Sequence, residues 1–173
     1  MEKNHSEHSE KLGGKFLTFF LGKEEYGLPI LTVQEIIALL PITPVPRTPN
    51  YFKGLTNLRG KIIPVMDLRL KFGMEELEPT DETCIIVVRT SKQLMGLIVD
   101  RVSEVKNISD ESIDEPPEFG DNSITDYLSA IGKSNESVVL IVDIEKVVNT
   151  NELSEINFNE VENSSANSEE NIS

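Results

Sequence analysis

A mainly β fold is what this 173-residue sequence predicts: two similar small barrels packed on one another, with short helices. Three observations carry that reading. Short runs rich in Val, Ile, Phe and Thr recur along the chain, an internal duplication relates its two halves, and a proline-dense connection separates two of the runs. The runs fall at 16–21, 25–30, 35–40, 52–58, 61–66, 83–89, 93–99, 102–108, 127–131 and 137–142. Turn formers such as Gly22-Lys23-Glu24, Thr90-Ser91-Lys92 and Lys133-Ser134-Asn135 divide many of them, which is the pattern of strands rather than helices.

The elements follow in chain order. Residues 1–14 are polar, end in Gly13-Gly14 and read as a flexible head. Between the third and fourth runs, Pro41 to Pro49 holds four prolines, each without an N–H and fixed in φ, so this stretch is expected outside the ladder. The fourth and fifth runs converge on Arg59-Gly60, where glycine can take the positive φ of a tight hairpin. Pro64 denies its strand a donor and places it at an edge or bulge. Asp67 and Asp143 each precede a short helical segment they can cap, and Gly73 supplies the stop after the first. Residues 151–173 hold six glutamates and no lysine or arginine, and read as a disordered acidic tail.

The duplication sharpens the fold. Gly27-Leu28-Pro29-Ile30-Leu31-Thr32-Val33-Gln34-Glu35-Ile36 matches Gly96-Leu97-Ile98-Val99-Asp100-Arg101-Val102-Ser103-Glu104-Val105 at an offset of 69 residues. Ile62-Ile63-Pro64-Val65-Met66-Asp67 then matches Val138-Val139-Leu140-Ile141-Val142-Asp143 in pattern at an offset of 76. Two barrels with a groove between them follow, and because each half is too small for an ample core the interface should be apolar.

Composition narrows the function classes. A net charge of −14 argues against nucleic acid as the main partner. A basic stretch at 47–71 and an acidic one at 104–126 suggest docking to partners of complementary charge, against the plainer reading of solvated loop faces. No run approaches the roughly 18 apolar residues of a membrane span. The polar N-terminus carries no signal or transit pattern, and one cysteine fits a reducing cytoplasm.

Catalytic chemistry has little to draw on. His5 and His8, the only histidines, lie in the head and give two metal ligands where three or four on a fixed frame are needed. Cys84 sits among Ile85, Ile86, Val87 and Val88, the setting of a small buried hydrophobe. There is no phosphate loop or dinucleotide turn, so no cofactor is expected and the chain does not read as an enzyme.

The segment Tyr51 to Arg69 carries Asn57-Leu58-Arg59-Gly60 followed by Pro64-Val65-Met66-Asp67-Leu68-Arg69, and here the sequence resembles the CheW-like family of chemotaxis adaptors. Phe16 to Gly27, Val33-Gln34-Glu35-Ile36, Gly96 to Asp100 and Val102-Ser103-Glu104-Val105 are similar to the family in order and spacing, so the resemblance covers residues 15–150. It implies two SH3-like five-stranded β-barrels, intertwined around a shared apolar core. It also implies a non-catalytic adaptor, monomeric when free, that links the cytoplasmic tips of methyl-accepting chemotaxis receptors to the regulatory domain of the histidine kinase CheA. Such a protein is cytoplasmic and recruited to receptor arrays, without inserting in the membrane itself.

By the same resemblance Val33, Glu35, Gly54, Arg59 and Val105 match positions tied to receptor binding, with Val102 on the same groove. Phe119, in the acidic Pro116-Pro117-Glu118-Phe119-Gly120 loop, matches a kinase-facing position. Each has a structural alternative. Arg59 can brace its hairpin or pair with Glu35; Val33, Val102 and Val105 can pack in a core, the favoured reading for Val102; Phe119 can pack its own loop. The rival function is a small-barrel nucleic-acid-binding module using the basic stretch with Tyr51 and Phe52, which the overall charge opposes.

Overall fold

The structure, a computed structural model, describes residues 13–118 and 124–148. The expected head and tail lie outside these residues apart from Gly13 and Gly14. The first half of the chain forms β1 (Gly14–Leu21), β2 (Glu24–Pro29), β3 (Val33–Ala38), β4 (Phe52–Leu58), β5 (Lys61–Asp67) and α1 (Leu68–Lys71). The second forms β6 (Cys84–Arg89), β7 (Leu94–Val99), β8 (Arg101–Ile108), β9 (Ile113–Asp114), β10 (Leu128–Ser134), β11 (Ser137–Val142) and α2 (Ile144–Val148). The two-residue β9 and three short 3-10 turns, at 30–32, 110–112 and 124–127, are too brief to leave a periodic trace in the sequence.

The duplicated halves are not the two barrels. One sheet runs β8-β1-β2-β11-β10-β9 and the other β3-β6-β7-β5-β4. Each barrel therefore takes one hairpin from one half and the rest of its strands from the other: β8 to β11 in the first sheet, β3 to β5 in the second. After hairpin β1–β2, the chain crosses over and β3 pairs with β6; after hairpin β6–β7, it crosses back and β8 pairs with β1. The parallel ladders repeat the exchange: Ile141 faces Gly27 as Val65 faces Gly96. Two strands joined through a crossover can pair in parallel where a tight hairpin cannot.

Both sheets close in the same manner. Beyond β3 the chain reaches Thr43, which exchanges two backbone hydrogen bonds with Leu55 of β4, at 2.8 and 2.9 Å. The proline-rich connection is thus not wholly outside the ladder: Pro41, Pro44, Pro46 and Pro49 flank Thr43, which keeps its N–H. On the other side β9 continues β8 and pairs with β10. Pro64 lies opposite Leu55, one residue before the β7 ladder begins at Val65, so its missing donor faces a locally unpaired flank.

Three cores result. Phe16, Ile108, Ile113, Ala130, Val139 and Ile141 fill one barrel, and Leu58, Ile63, Val65, Ile85 and Val87 fill the other. The largest cluster lies between them, drawing Leu17, Phe19 and Leu28 from one barrel and Met66, Ile86 and Leu97 from the other. That is the expected apolar interface. At about 1.5–3 kcal/mol for each large side chain withdrawn from water, it binds the barrels into one unit. An aromatic run crosses it, with ring centroids of Phe19–Tyr26, Tyr26–Phe72 and Phe72–Tyr127 at 5.7, 5.6 and 5.6 Å. Burial, with the nearby Glu24 charge, pushes the Tyr26 hydroxyl up to about 12, so it stays protonated within the core.

Barrel interiors differ at one end. Glu25 and Lys106 form an ion pair (2.7 Å), with side chains only 9% and 19% exposed. At the positions 69 residues away stand Leu94 and Ile37, both packed on the other barrel's interior cluster. The equivalent pair shows that the site accepts apolar side chains. Replacing Glu25 with Leu and Lys106 with Ile together should leave stability unchanged or raise it by about 1–4 kcal/mol. Glu25→Leu alone should cost about 3 kcal/mol by stranding the lysine; urea titration of the three proteins distinguishes these outcomes.

Both expected caps are present. The Asp67 carboxylate accepts from the Leu70 N–H (3.2 Å) and that of Asp143 from the Glu145 N–H (3.0 Å). Asp67→Ala should cost about 1 kcal/mol through the lost cap. Burial pushes the Asp67 carboxyl above its ordinary value, opposed by donation from the Leu70 N–H. Folding therefore favours the protonated acid, whose contribution is fully present below the unfolded carboxyl range and is lost as pH rises through the folded value. Asp67→Asn, which can still cap, should accordingly gain on the native protein between about pH 3 and pH 7, as read from melting temperatures across that range.

Candidate functional site

The β4–β5 hairpin turns through Arg59 and Gly60 at φ 50° and 87°. Both central residues of this two-residue turn are left-handed, the geometry that matches strand twist. The Asn57 side-chain oxygen accepts from the Gly60 N–H (2.7 Å) and fixes the turn. Glycine holds such a φ freely, but an arginine there carries roughly 1–2 kcal/mol of backbone strain. The equivalent turn of the other barrel places Asn135 at φ 54°, a residue type that tolerates the conformation.

From this turn the Arg59 guanidinium reaches back to the Glu35 carboxylate on β3, forming an ion pair across the barrel. The arginine is still 70% exposed, while Glu35 is 25% exposed. The structure thus brings together two of the residues singled out in the sequence. It also realises the alternative in which Arg59 pairs with Glu35, without burying the arginine's charge.

Gly54 answers to a different demand. Its φ is 136°, and a Cβ there would lie 2.0 Å from the Thr43 carbonyl oxygen. Only glycine lets the Thr43–Leu55 pair close this barrel, so Gly54 supports the hairpin from its far end. Val33 and Val102, at equivalent points of β3 and β8, are half-buried against the shared core, as the packing alternative has it. Val105 is 51% exposed and therefore not a core residue. Phe119 lies outside the described residues.

Further exposed apolar residues accompany Val105 and were not singled out in the sequence. Ile36 is 45% exposed and stands opposite Ile86, while Val105 stands opposite Leu17. Ile86 and Leu17 both belong to the core between the barrels. Directly opposed residues share a sheet face, so Ile36 and Val105 flank that core on the two crossing strands, β3 and β8. Ile62 and Val138, also exposed, recur on the two hairpins at the offset of 76. The duplication pairs Ile36 with Val105 and Ile62 with Val138, and alternation turns them outward; those were the signals available.

Among the described residues no group of three or more His, Cys, Asp or Glu is arranged to hold a metal. Burial pushes the Cys84 thiol up, away from reactive thiolate, as suits a packed side chain. The described surface presents exposed apolar residues at the margin of the core between the barrels and, on the other face of β3, an exposed arginine tethered to a carboxylate.

Comparison with known proteins agrees with this geometry. The family model described as a CheW-like domain matches residues 15–152. The chain is 41% identical over 144 residues to the chemotaxis protein CheW of Klebsiella aerogenes, covering 83% of this chain and 87% of that protein. It is 40% identical over 135 residues to the chemotaxis protein CheW of Helicobacter pylori, covering 78% and 81%. Among solved structures, the scaffolding protein TtCheW from Thermoanaerobacter tengcongensis aligns with a TM-score of 0.74 at 36% identity, over 81% of this chain and 95% of that one. With its paired barrels, its hairpin motif and these relatives, the chain belongs to the CheW-like family of chemotaxis scaffold proteins.

Proposed function

We propose that this chain is a non-catalytic adaptor that couples the cytoplasmic tips of chemotaxis receptors to the histidine kinase CheA. The observation that carries the reading is the exposed Arg59, held by Glu35 of β3, the strand whose next residue, Ile36, flanks with Val105 the seam between the barrels. A receptor tip is an amphipathic helical hairpin, and a helix of that kind is held by an apolar groove with a few charges at its rim. Val33, Glu35, Arg59 and Val105 make the receptor contact, with Gly54 preserving the hairpin that presents Arg59. Phe119 faces the kinase regulatory domain. The adaptor is recruited to membrane arrays by its partners; among the described residues no helix is long and apolar enough to cross a membrane.

Nucleic acid is a poorer partner. Within the basic stretch, Lys53 and Arg69 are engaged by Glu76 and Asp100, and Lys71 is buried over the Tyr51 ring at 4.3 Å. Phosphate recognition needs such cations uncommitted.

Arg59 separates charge from strain. Arg59→Glu should abolish receptor-dependent kinase activation while shifting stability by about 0.5 kcal/mol, since the group is largely exposed. Arg59→Gly should weaken receptor binding yet raise stability by roughly 1 kcal/mol, because glycine relieves the left-handed backbone. Arg59→Lys keeps the charge without the planar fork and should fall between in binding. Co-sedimentation with receptor fragments and CheA, scored by kinase activity beside thermal melts, reads all three. Normal coupling by a folded Arg59→Glu protein would refute the receptor assignment, as would equal loss of receptor and kinase binding.

A further inference from the structure

Neither half of this chain contains a complete barrel. Within residues 13–72 the ladders between strands are β1–β2 and β4–β5; within 84–148 they are β6–β7, β9–β10 and β10–β11. The four ladders that complete the barrels, β1–β8, β2–β11, β3–β6 and β5–β7, all run between halves. Gly27 of the first half is fitted to Val139 and Ile141 of the second, where an added Cβ would meet their side chains at 3.1 and 3.2 Å. The segment joining the halves, residues 73–83, has no helix or strand and is exposed throughout 75–82. It is tied down by the Lys53–Glu76 ion pair and by donation from Arg69 Nε to the Glu75 carbonyl (2.9 Å).

We propose that each half is a docking surface for the complementary half of a second copy of this chain, giving a reciprocal dimer with exchanged halves. Every ladder and all three cores are the same in monomer and dimer; only the path of residues 73–83 differs. The balance is therefore set by how readily the joining segment lets its own two halves meet. Tethering through a connection of this length supplies an effective concentration on the order of millimolar, which keeps the native chain monomeric at lower protein concentrations. A shorter connection removes that advantage and leaves the partner copy as the only source of the missing strands. In the dimer each receptor seam is composite, with Glu35 and Arg59 from one copy and Val105 from the other.

The inference stands apart from the receptor reading and is tested without receptor. Deleting residues 76–81 from the full chain should give a protein of twice the monomer mass by light scattering, with the native circular dichroism spectrum. In a Cys84→Ala background with the same deletion, chains carrying Lys15→Cys and chains carrying Asn107→Cys are refolded together. Lys15 faces Asn107 in the β1–β8 ladder, so an oxidised heterodimer forms only if β1 of one copy pairs with β8 of the other. The undeleted chain, cut once within 75–82 at an engineered protease site, should keep its native size, and its halves, separated in urea, should fold only when mixed. A shortened chain that stays monomeric at native stability overturns the proposal, and so does a dimer without the disulfide. Either half folding alone, or a cut protein that falls apart, overturns it equally.

Discussion

The crossing of β3 and β8 is the constraint on which the rest of this molecule depends. Each strand leaves the hairpin that precedes it and completes the barrel built on the other half's hairpin. Because neither half can satisfy its own strand edges, the barrels cannot form separately, and the cluster between them becomes the largest core. The crossing also places the site. The strand that carries Glu35 and Ile36 and the strand that carries Val102 and Val105 are the same two that change barrels. The seam open to a partner is the outer margin of the core that holds the fold together.

Departures from the internal symmetry are informative because the two halves solve the same folding problem. Glu25 and Lys106 stand where Leu94 and Ile37 stand, so one barrel carries a buried ion pair that the architecture does not require. Arg59 stands where Asn135 stands, and both are left-handed. Asparagine adopts that conformation at small cost, whereas arginine does not. An arginine kept in a strained turn, tethered to a carboxylate and still exposed, is not accounted for by the hairpin alone.

Local features were legible in the sequence because their causes are local. The runs of alternating residues marked ten of the eleven strands, the Arg59-Gly60 turn followed from glycine at a hairpin apex, and the two aspartate caps followed from their place before short apolar runs. The exchange between halves was not legible: the period-two pattern records which face a residue buries, not which strand lies beside it. Thr43 was hidden by its prolines, since a single bridging residue within a stretch holding four of them leaves no compositional mark. The ion pair of Glu25 with Lys106 is separated by 81 residues in sequence and becomes apparent only once β1 is seen between β2 and β8. Of the site, the family motif pointed to Glu35, Arg59 and Val105, while the packing reason for Gly54 needed the position of Thr43.

An adaptor must hold partners in a fixed relation, and the energetics here suit that task better than catalysis. The cross-barrel contacts are mostly apolar and non-directional, so they fix the two barrels as a body without requiring a precise polar network. The directional contacts are few and sit at the margins: Arg69 with Asp100, which also accepts from the Gly22 N–H (2.7 Å), and Glu145 with the Ser91 N–H (2.6 Å). Gly22 and Ser91 are equivalent turn positions 69 residues apart, and Arg69 and Glu145 are equivalent helix positions 76 apart. Each short helix thus secures the hairpin turn of the opposite barrel, using different chemistry for the same purpose. Clamped at both turns and filled between, the barrels hold β3 and β8 at one fixed spacing. A seam of constant width is the geometry by which a rigid body of two barrels can present one fixed surface.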